Sequence, residues 1–200
     1  MKKPNMIVFM GGQGSGKGTY AKMLLKQNKC NYIETGEILR QMPKDSDIAK
    51  KITRGELLAD DELFSIISTH ITTDKDLILD GFPRTLGQAQ WLVENYKNQF
   101  NIKIAYLNIS KEMMFARIQN RIKEGGNRAD DNDIVAVQKR IAAFYDITMP
   151  AIKWLSKQPT VQFCDIKVLN PNDTIENNFK YVQNRLNTPM MCNTLNTQRQ

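Results

Sequence analysis

Lys17 stands inside a run of glycines, Gly11-Gly12-Gln13-Gly14-Ser15-Gly16-Lys17-Gly18-Thr19, and that combination is suited to holding a polyphosphate. Glycines let the main chain bend sharply and remove the side chains that would keep an anion at a distance. Apolar residues precede the run, from Met6 to Met10, and helix formers follow it, from Ala21 to Lys26. The loop therefore joins a strand to a helix N-terminus, where N–H groups and the helix dipole both favour negative charge. Lys17 adds a mobile positive charge for the outer phosphates, and the Thr19 hydroxyl is placed to stand near a metal. In the strict pattern Ser or Thr follows the lysine directly, whereas here Gly18 intervenes. A Gly-rich turn in an ordinary βα unit is the plain alternative.

A second constellation is Asp80-Gly81-Phe82-Pro83-Arg84-Thr85, with Gln88 four residues after the arginine. It follows the apolar Leu77-Ile78-Leu79, so Asp80 falls at the C-terminal end of a strand, where open α/β sheets bind ligands. A carboxylate there is suited to holding Mg²⁺ through water. Arg84 offers a planar fork for a phosphate, and the Gln88 amide offers the donor and acceptor that match an adenine edge. Each has a duller explanation: a strand end, a solvated charge, and a helix capping box made by Thr85 and Gln88. A third set is Arg40, Arg117, Arg121, Arg128 and Arg140, with the acidic pair Asp130-Asp131. Arg117 and Arg121 share a helix face. Alone that is a solvated surface; beside a phosphate loop it is an electrostatic clamp, the main requirement of phosphoryl transfer.

The elements that must position these groups alternate between strand and helix periods, which predicts an α/β fold with a parallel sheet. Strands are expected at 6–10, 31–34, 77–80, 102–109 and 161–164. Helices are expected at 17–28, 37–40, 46–54, 85–98 and 111–123, with one after Asp60 or Asp61 as cap and a long one over 133–155. Pro150 predicts a kink or break near it in that last segment, and Asp173-Thr174-Ile175-Glu176 reads as a capping box for the final helix. Residues 188–200 read as a disordered tail.

At 200 residues the chain suits one domain with a full core. It has no apolar run long enough to span a bilayer and no signal-peptide core near its start, so a cytoplasmic protein without a membrane partner is expected. Cys30, Cys164 and Cys192 are far apart and form no C-x-x-C, which argues against a zinc site and for a reducing compartment. The lone His70 reads as a surface or half-buried histidine on an amphipathic helix. A formal charge of +7 admits nucleic acid as a partner, but no Lys/Arg run or aromatic-basic interleaving supports it. Cations gathered around small, highly charged phosphates account for the charge better.

These stretches resemble the adenylate kinase family of nucleoside monophosphate kinases, from Met6 to about Leu186. Gly11–Thr19 is similar to its phosphate loop, Thr35-Gly36-Glu37-Ile38-Leu39-Arg40 to its TGD-x-L-R segment, and Gly55-Glu56-Leu57-Leu58 to its monophosphate-site turn. Asp80–Thr85 with Gln88 resembles DGFPRT-x-x-Q, and Arg128-Ala129-Asp130-Asp131 followed by Arg140 to Pro150 resembles the lid exit and the helix after it. Five motifs in the family's order make the resemblance specific.

The resemblance implies a P-loop NTPase-type three-layer fold with a central parallel sheet, a helical monophosphate-binding insertion and a short lid. One domain over 1–187 would comprise a core of 1–34, 75–121 and 132–187, a monophosphate segment of 35–74 and a lid of 122–131. The implied reaction is ATP plus AMP giving two ADP, with Mg²⁺, in a monomer. Gly12, Gln13, Gly14, Ser15, Gly16, Lys17, Gly18 and Thr19 would hold the donor, with Arg117 over its adenine and Arg121 on its phosphates. Thr35, Gly36, Arg40, Leu57, Leu58, Ala59, Gly81, Arg84 and Gln88 would hold AMP. Lys17, Arg84, Arg128 and Arg140 would meet the transferring group, and Thr19 and Asp80 would hold Mg²⁺ through water. The lid is too short for the inserted, sometimes zinc-bearing, domain of longer-lid relatives.

Four departures from the family pattern stand out. Gln13 replaces a usual proline, Glu37 replaces an aspartate, and an extra residue before Arg140 makes Lys139 a rival for the lid-exit arginine position. Near Lys167 a usual glycine is missing. Other readings are a UMP/CMP kinase, which Thr35 and the Thr85-to-Gln88 spacing disfavour, a catalytically weakened nucleotide-binding protein, and a nucleic-acid binder. A GTPase lacks its N-K-x-D motif here.

Overall fold

A computed structural model of the chain describes residues 3–43, 45–53, 58–123, 134–167 and 174–187. Strand β1 (Asn5–Gly11) is built for burial on both faces. Met6, Val8 and Met10 enter one core and Ile7 and Phe9 face the other, the alternation that a pleated strand imposes. The next strands are β2 (Asn31–Glu34), β3 (Leu77–Asp80), β4 (Asn101–Asn108) and β5 (Val161–Lys167). All pair in parallel in the order β2-β3-β1-β4-β5. Strand β4 repeats the pattern, with Ile102, Ile104 and Tyr106 on one face and Ala105 and Leu107 on the other.

Helices cover both faces. On one side α1 (Lys17–Gln27) and a C-terminal helix (Ile175–Asn187) bring in Tyr20, Leu24, Phe179 and Val182. On the other lie α4 (Asp60–Ser68), α5 (Leu86–Tyr96) and α6 (Lys111–Lys123), with Leu63, Ile67, Leu92, Val93, Met114 and Ile118. The short helices α2 (Thr35–Arg40) and α3 (Asp47–Thr53) follow β2. The result is the expected three-layer α/β fold. Deleting one of these buried aliphatic side chains would cost about 2–5 kcal/mol. Register slips are therefore suppressed, and the loop after β1 is held in place.

Over 134–155 the expected helix carries the break foreseen near Pro150. It divides into α7 (Ile134–Ala143), a π-helical turn (Phe144–Thr148) and α8 (Met149–Leu155). Pro150 has no N–H to return to Asp146, and the Met149 N–H bonds instead to the Phe144 carbonyl, five residues back. The proline thus acts by widening the turn before it.

Two cap assignments and one strand end change. Asp60 and Asp61 are the first helical residues of α4, not its cap; Ala59 holds that position, and its N–H donates to Glu62 Oε2 at 3.1 Å. The C-terminal helix, α9, is capped by the Thr174 hydroxyl, which accepts from the Asn177 N–H; Asp173 lies outside the described residues. Strand β5 runs three residues beyond Cys164, because Asp165 to Lys167 stay in register with Tyr106 to Asn108. The tail, 188–200, is also outside the described residues. His70 is exposed just past the end of α4.

Candidate functional site

The order of strands sets the site. Strand β1 lies between β3 and β4, so the chain leaving β1 crosses one way while later connections cross the other, and the loop after β1 falls at the switch point. Gly11 ends β1 with φ +147°, and a Cβ there would lie 2.7 Å from the Leu107 carbonyl oxygen and 2.9 Å from Ser15 Oγ. Only glycine fits that approach. At Gly12 a Cβ would lie 2.5 Å from the Met114 sulfur, so α6 forms a floor beneath the loop, with Phe144 of the π turn beside it. Helix α1 then opens at Lys17 without a side-chain cap, leaving its first N–H groups for an anion.

Lys17 folds back over this cradle. Its ammonium donates to the carbonyls of Gly11 at 2.7 Å and Gly12 at 2.9 Å. Ser15 is fully buried, and its hydroxyl has no hydrogen-bond partner among the described residues; the same holds for Gln13 Oε1. A buried hydroxyl without a partner is costly unless a ligand supplies one. The loop therefore fits a polyphosphate. Arg117 lies across it: its Nη1 donates to the Gly14 carbonyl at 3.4 Å, and a Cβ on Gly14 would sit 3.3 Å from Arg117 Cβ. Arg121 lies one turn further along α6 on the same face and is half-buried, as is Arg140 on α7. Lys139 beside it is exposed, so Arg140 is the inward-facing member of that pair.

Strand β3 brings the acid. Asp80 is only 7% exposed, and its Oδ2 would lie 3.4 Å from a Cβ on Gly18, which places the carboxylate at the foot of the loop. Thr19 is exposed on the first turn of α1. In register with Asp80 on β2 is Glu34. Burial first, and then these two carboxylates, hold the Tyr32 phenol well above its usual range. Cations answer Glu34: Lys22 lies 3.6 Å from its Oε2, and Arg40 Nη2 donates to its Oε1 at 3.3 Å.

Around the ends of β2 and β3 a second group forms. A Cβ on Gly81 would meet Arg84 Nη2 at 3.4 Å and Thr35 Cβ at 3.6 Å, so Thr35, Gly81 and Arg84 converge. Arg84 Nε donates to the Gly81 carbonyl at 2.8 Å. Thr35 is buried, and its hydroxyl has no partner among the described residues. Arg40 arches over Gly36, its Nη1 3.1 Å from where a Cβ would be. Gln88 is buried in α5; its N–H donates to the Thr85 hydroxyl while its amide bonds Arg84 N–H and Asp60. It is thus a capping residue and a convergent polar group at once. Leu58 is half-buried and Ala59 exposed just before α4, whereas Leu57 and Arg128 lie outside the described residues.

The sequence reading passed over Glu34 and Asp60 as functional residues. Glu34 reads there as a strand end and Asp60 as a helix cap, and no local pattern names their partners. Among the described residues there is no cluster of three His, Cys, Asp or Glu able to hold a metal directly, and Cys30 and Cys164 are free thiols that burial pushes up.

A glycine-cradled anion site at the switch point of a 2-3-1-4-5 parallel sheet defines the class as a P-loop nucleotide-binding protein. Comparison with known proteins narrows that. The profile of the family "Adenylate kinase" matches residues 9–160. Proteins named adenylate kinase from Bartonella quintana (strain Toulouse), Phocaeicola vulgatus and Agrobacterium fabrum (strain C58) are 31%, 32% and 33% identical to the chain. Those alignments cover 80%, 78% and 76% of this chain and 90%, 87% and 85% of the respective relatives. The chain belongs to the adenylate kinase family, and so is a phosphotransferase of the nucleoside monophosphate kinase type. No described helix is long and apolar enough to cross a membrane.

Proposed function

We propose that the chain moves the γ-phosphoryl group of ATP to AMP and returns two ADP, with the residues above in the following roles. The loop Gly12–Thr19, including Gln13, Ser15 and Lys17, holds the donor phosphates through main-chain N–H groups and the lysine charge. Arg117 covers the donor base and Arg121 its phosphates. Thr35, Gly36, Leu57, Leu58, Ala59 and Gln88 surround the AMP base, while Arg40, Gly81 and Arg84 hold its phosphate. An oxygen of the AMP phosphate attacks the γ-phosphorus, the bond to the β,γ-bridging oxygen breaks, and that oxygen leaves on ADP. Lys17, Arg84, Arg128 and Arg140 offset the charge that spreads over the transferring group. No side chain is required to take a proton at a tuned pKa.

Asp80 at the loop's foot and the Thr19 hydroxyl fit a hydrated Mg²⁺, a hard cation that keeps several waters and takes phosphate oxygens. When bound, Mg²⁺ would screen the charge of the donor phosphates. The observation that carries the reading is spatial. The loop after β1 and the Thr35–Gly81–Arg84 group open at the same edge of the sheet, with Asp80 on the strand between them. Residues 35–74 serve the monophosphate and 122–131 form the short lid in this scheme, within one monomeric cytoplasmic domain over 1–187 that has no nucleic-acid or membrane partner. The test is a coupled assay at fixed ATP with AMP, UMP, CMP and GMP. AMP should give the highest kcat/KM; faster turnover of UMP or CMP would overturn the choice of acceptor.

A further inference from the structure

Asp60 reaches from the start of α4 to a different segment of the chain. Its Oδ1 accepts from Gln88 Nε2 at 2.8 Å and its Oδ2 from the Thr85 hydroxyl at 3.3 Å. Gln88 Oε1 in turn accepts from the Arg84 N–H at 2.7 Å. These two neighbours have one-sided chemistry: a carboxylate only accepts, and a main-chain N–H only donates. They admit one orientation of the amide, nitrogen toward Asp60 and oxygen toward Arg84. The reversed amide would set oxygen against carboxylate and NH₂ against N–H, at a residue only 5% exposed. Water could not relieve either mismatch.

Bound in this way, the Gln88 amide retains one N–H and one oxygen lone pair. Adenine shows an acceptor at N1 beside a donor, the 6-amino group. Hypoxanthine shows the opposite order, N1–H beside the 6-oxo group. An amide of fixed orientation satisfies one of these edges in a given pose and not the other. We propose that Asp60 is a specificity-determining positioning residue of the monophosphate site: it fixes the orientation of the Gln88 amide and thereby selects a 6-amino purine over a 6-oxo purine. Asp60 touches no substrate in this role. The inference rests on the reading of Gln88 as the base-contacting residue.

The experiment compares kcat/KM for AMP and for inosine monophosphate at saturating ATP, using the full chain and its variants Asp60→Ala, Asp60→Asn and Gln88→Ala. Both substrates are measured on one preparation, so their ratio does not depend on the fraction of enzyme that is folded. Asp60→Ala should lower the AMP-to-IMP ratio by about tenfold, through KM more than kcat, because one of two part-buried orienting contacts is gone. Asp60→Asn, whose carbonyl still accepts from Nε2, should hold the ratio within about threefold of the parent. Gln88→Ala should collapse it. An unchanged ratio in Asp60→Ala beside a collapsed one in Gln88→Ala would overturn the role of Asp60 alone, as would an asparagine variant no better than alanine. A ratio untouched by Gln88→Ala would remove the base-contact reading, and the present inference with it.

Discussion

The two halves of the proposed site are built from different material. The donor half, Gly11 to Thr19, is mostly main chain: a glycine turn braced by Leu107, Met114 and Phe144, with Lys17 bonded to the carbonyls of Gly11 and Gly12. The acceptor half is mostly side chains held by other groups, with Arg84 on the Gly81 carbonyl, Arg40 on Glu34 and Gln88 on Asp60. A main-chain cradle has its geometry before any ligand arrives, which suits a polyphosphate common to many substrates. Side chains tethered to side chains can discriminate among substrates, but some must leave a partner to bind one.

The hardest blow to the donor half is loss of its charge. Lys17→Met should lower kcat by about 10³-fold or more while the thermal midpoint moves by only a few degrees, since the cradle itself is glycine and packing. A variant that unfolded instead would show the lysine to be part of the scaffold. On the acceptor half, Arg84→Ala should raise the KM for AMP by about 10- to 100-fold and that for ATP by less than about threefold, the scale of one charge-assisted contact. Equal effects on both substrates would erase the division between the halves.

Bracing by main chain is tested at Gly11. Gly11→Ala forces a Cβ against the Leu107 carbonyl at φ +147°, and should cost about 1–3 kcal/mol, seen as a lower thermal midpoint. An alanine variant of parental stability would mean that the loop is looser than its contacts imply. The smallest effect is expected at Glu34. Its pairs with Arg40 and Lys22 are partly exposed and worth at most about 1 kcal/mol. Glu34→Gln should therefore lower the KM for AMP by no more than about fivefold, with kcat unchanged, by freeing Arg40 for phosphate. A rise in that KM would mean that Glu34 positions Arg40 productively.

Much of this was legible in the chain. The phosphate loop announced itself through glycines around Lys17, and β3 through Leu77-Ile78-Leu79 ending in Asp80. In the fold Asp80 lies at the foot of that loop, and Thr35, Gly81 and Arg84 converge. The break near Pro150 was expected, but its form, a π turn over Phe144–Thr148, was not, because local periodicity cannot say how a proline's missing N–H will be accommodated. Whether Lys139 or Arg140 faces inward was likewise open until helix α7 was packed against the core.

What the sequence determined by itself is whatever depends on near neighbours: which stretches are strand or helix, where glycine is needed, and that Lys17 stands inside a glycine turn. Tertiary structure alone decided the partners of Asp60 and Glu34. The physical reason is that a carboxylate accepts from any donor within reach. Reach from Asp60 to Gln88, across 28 positions of chain, exists only once α4 and α5 lie side by side.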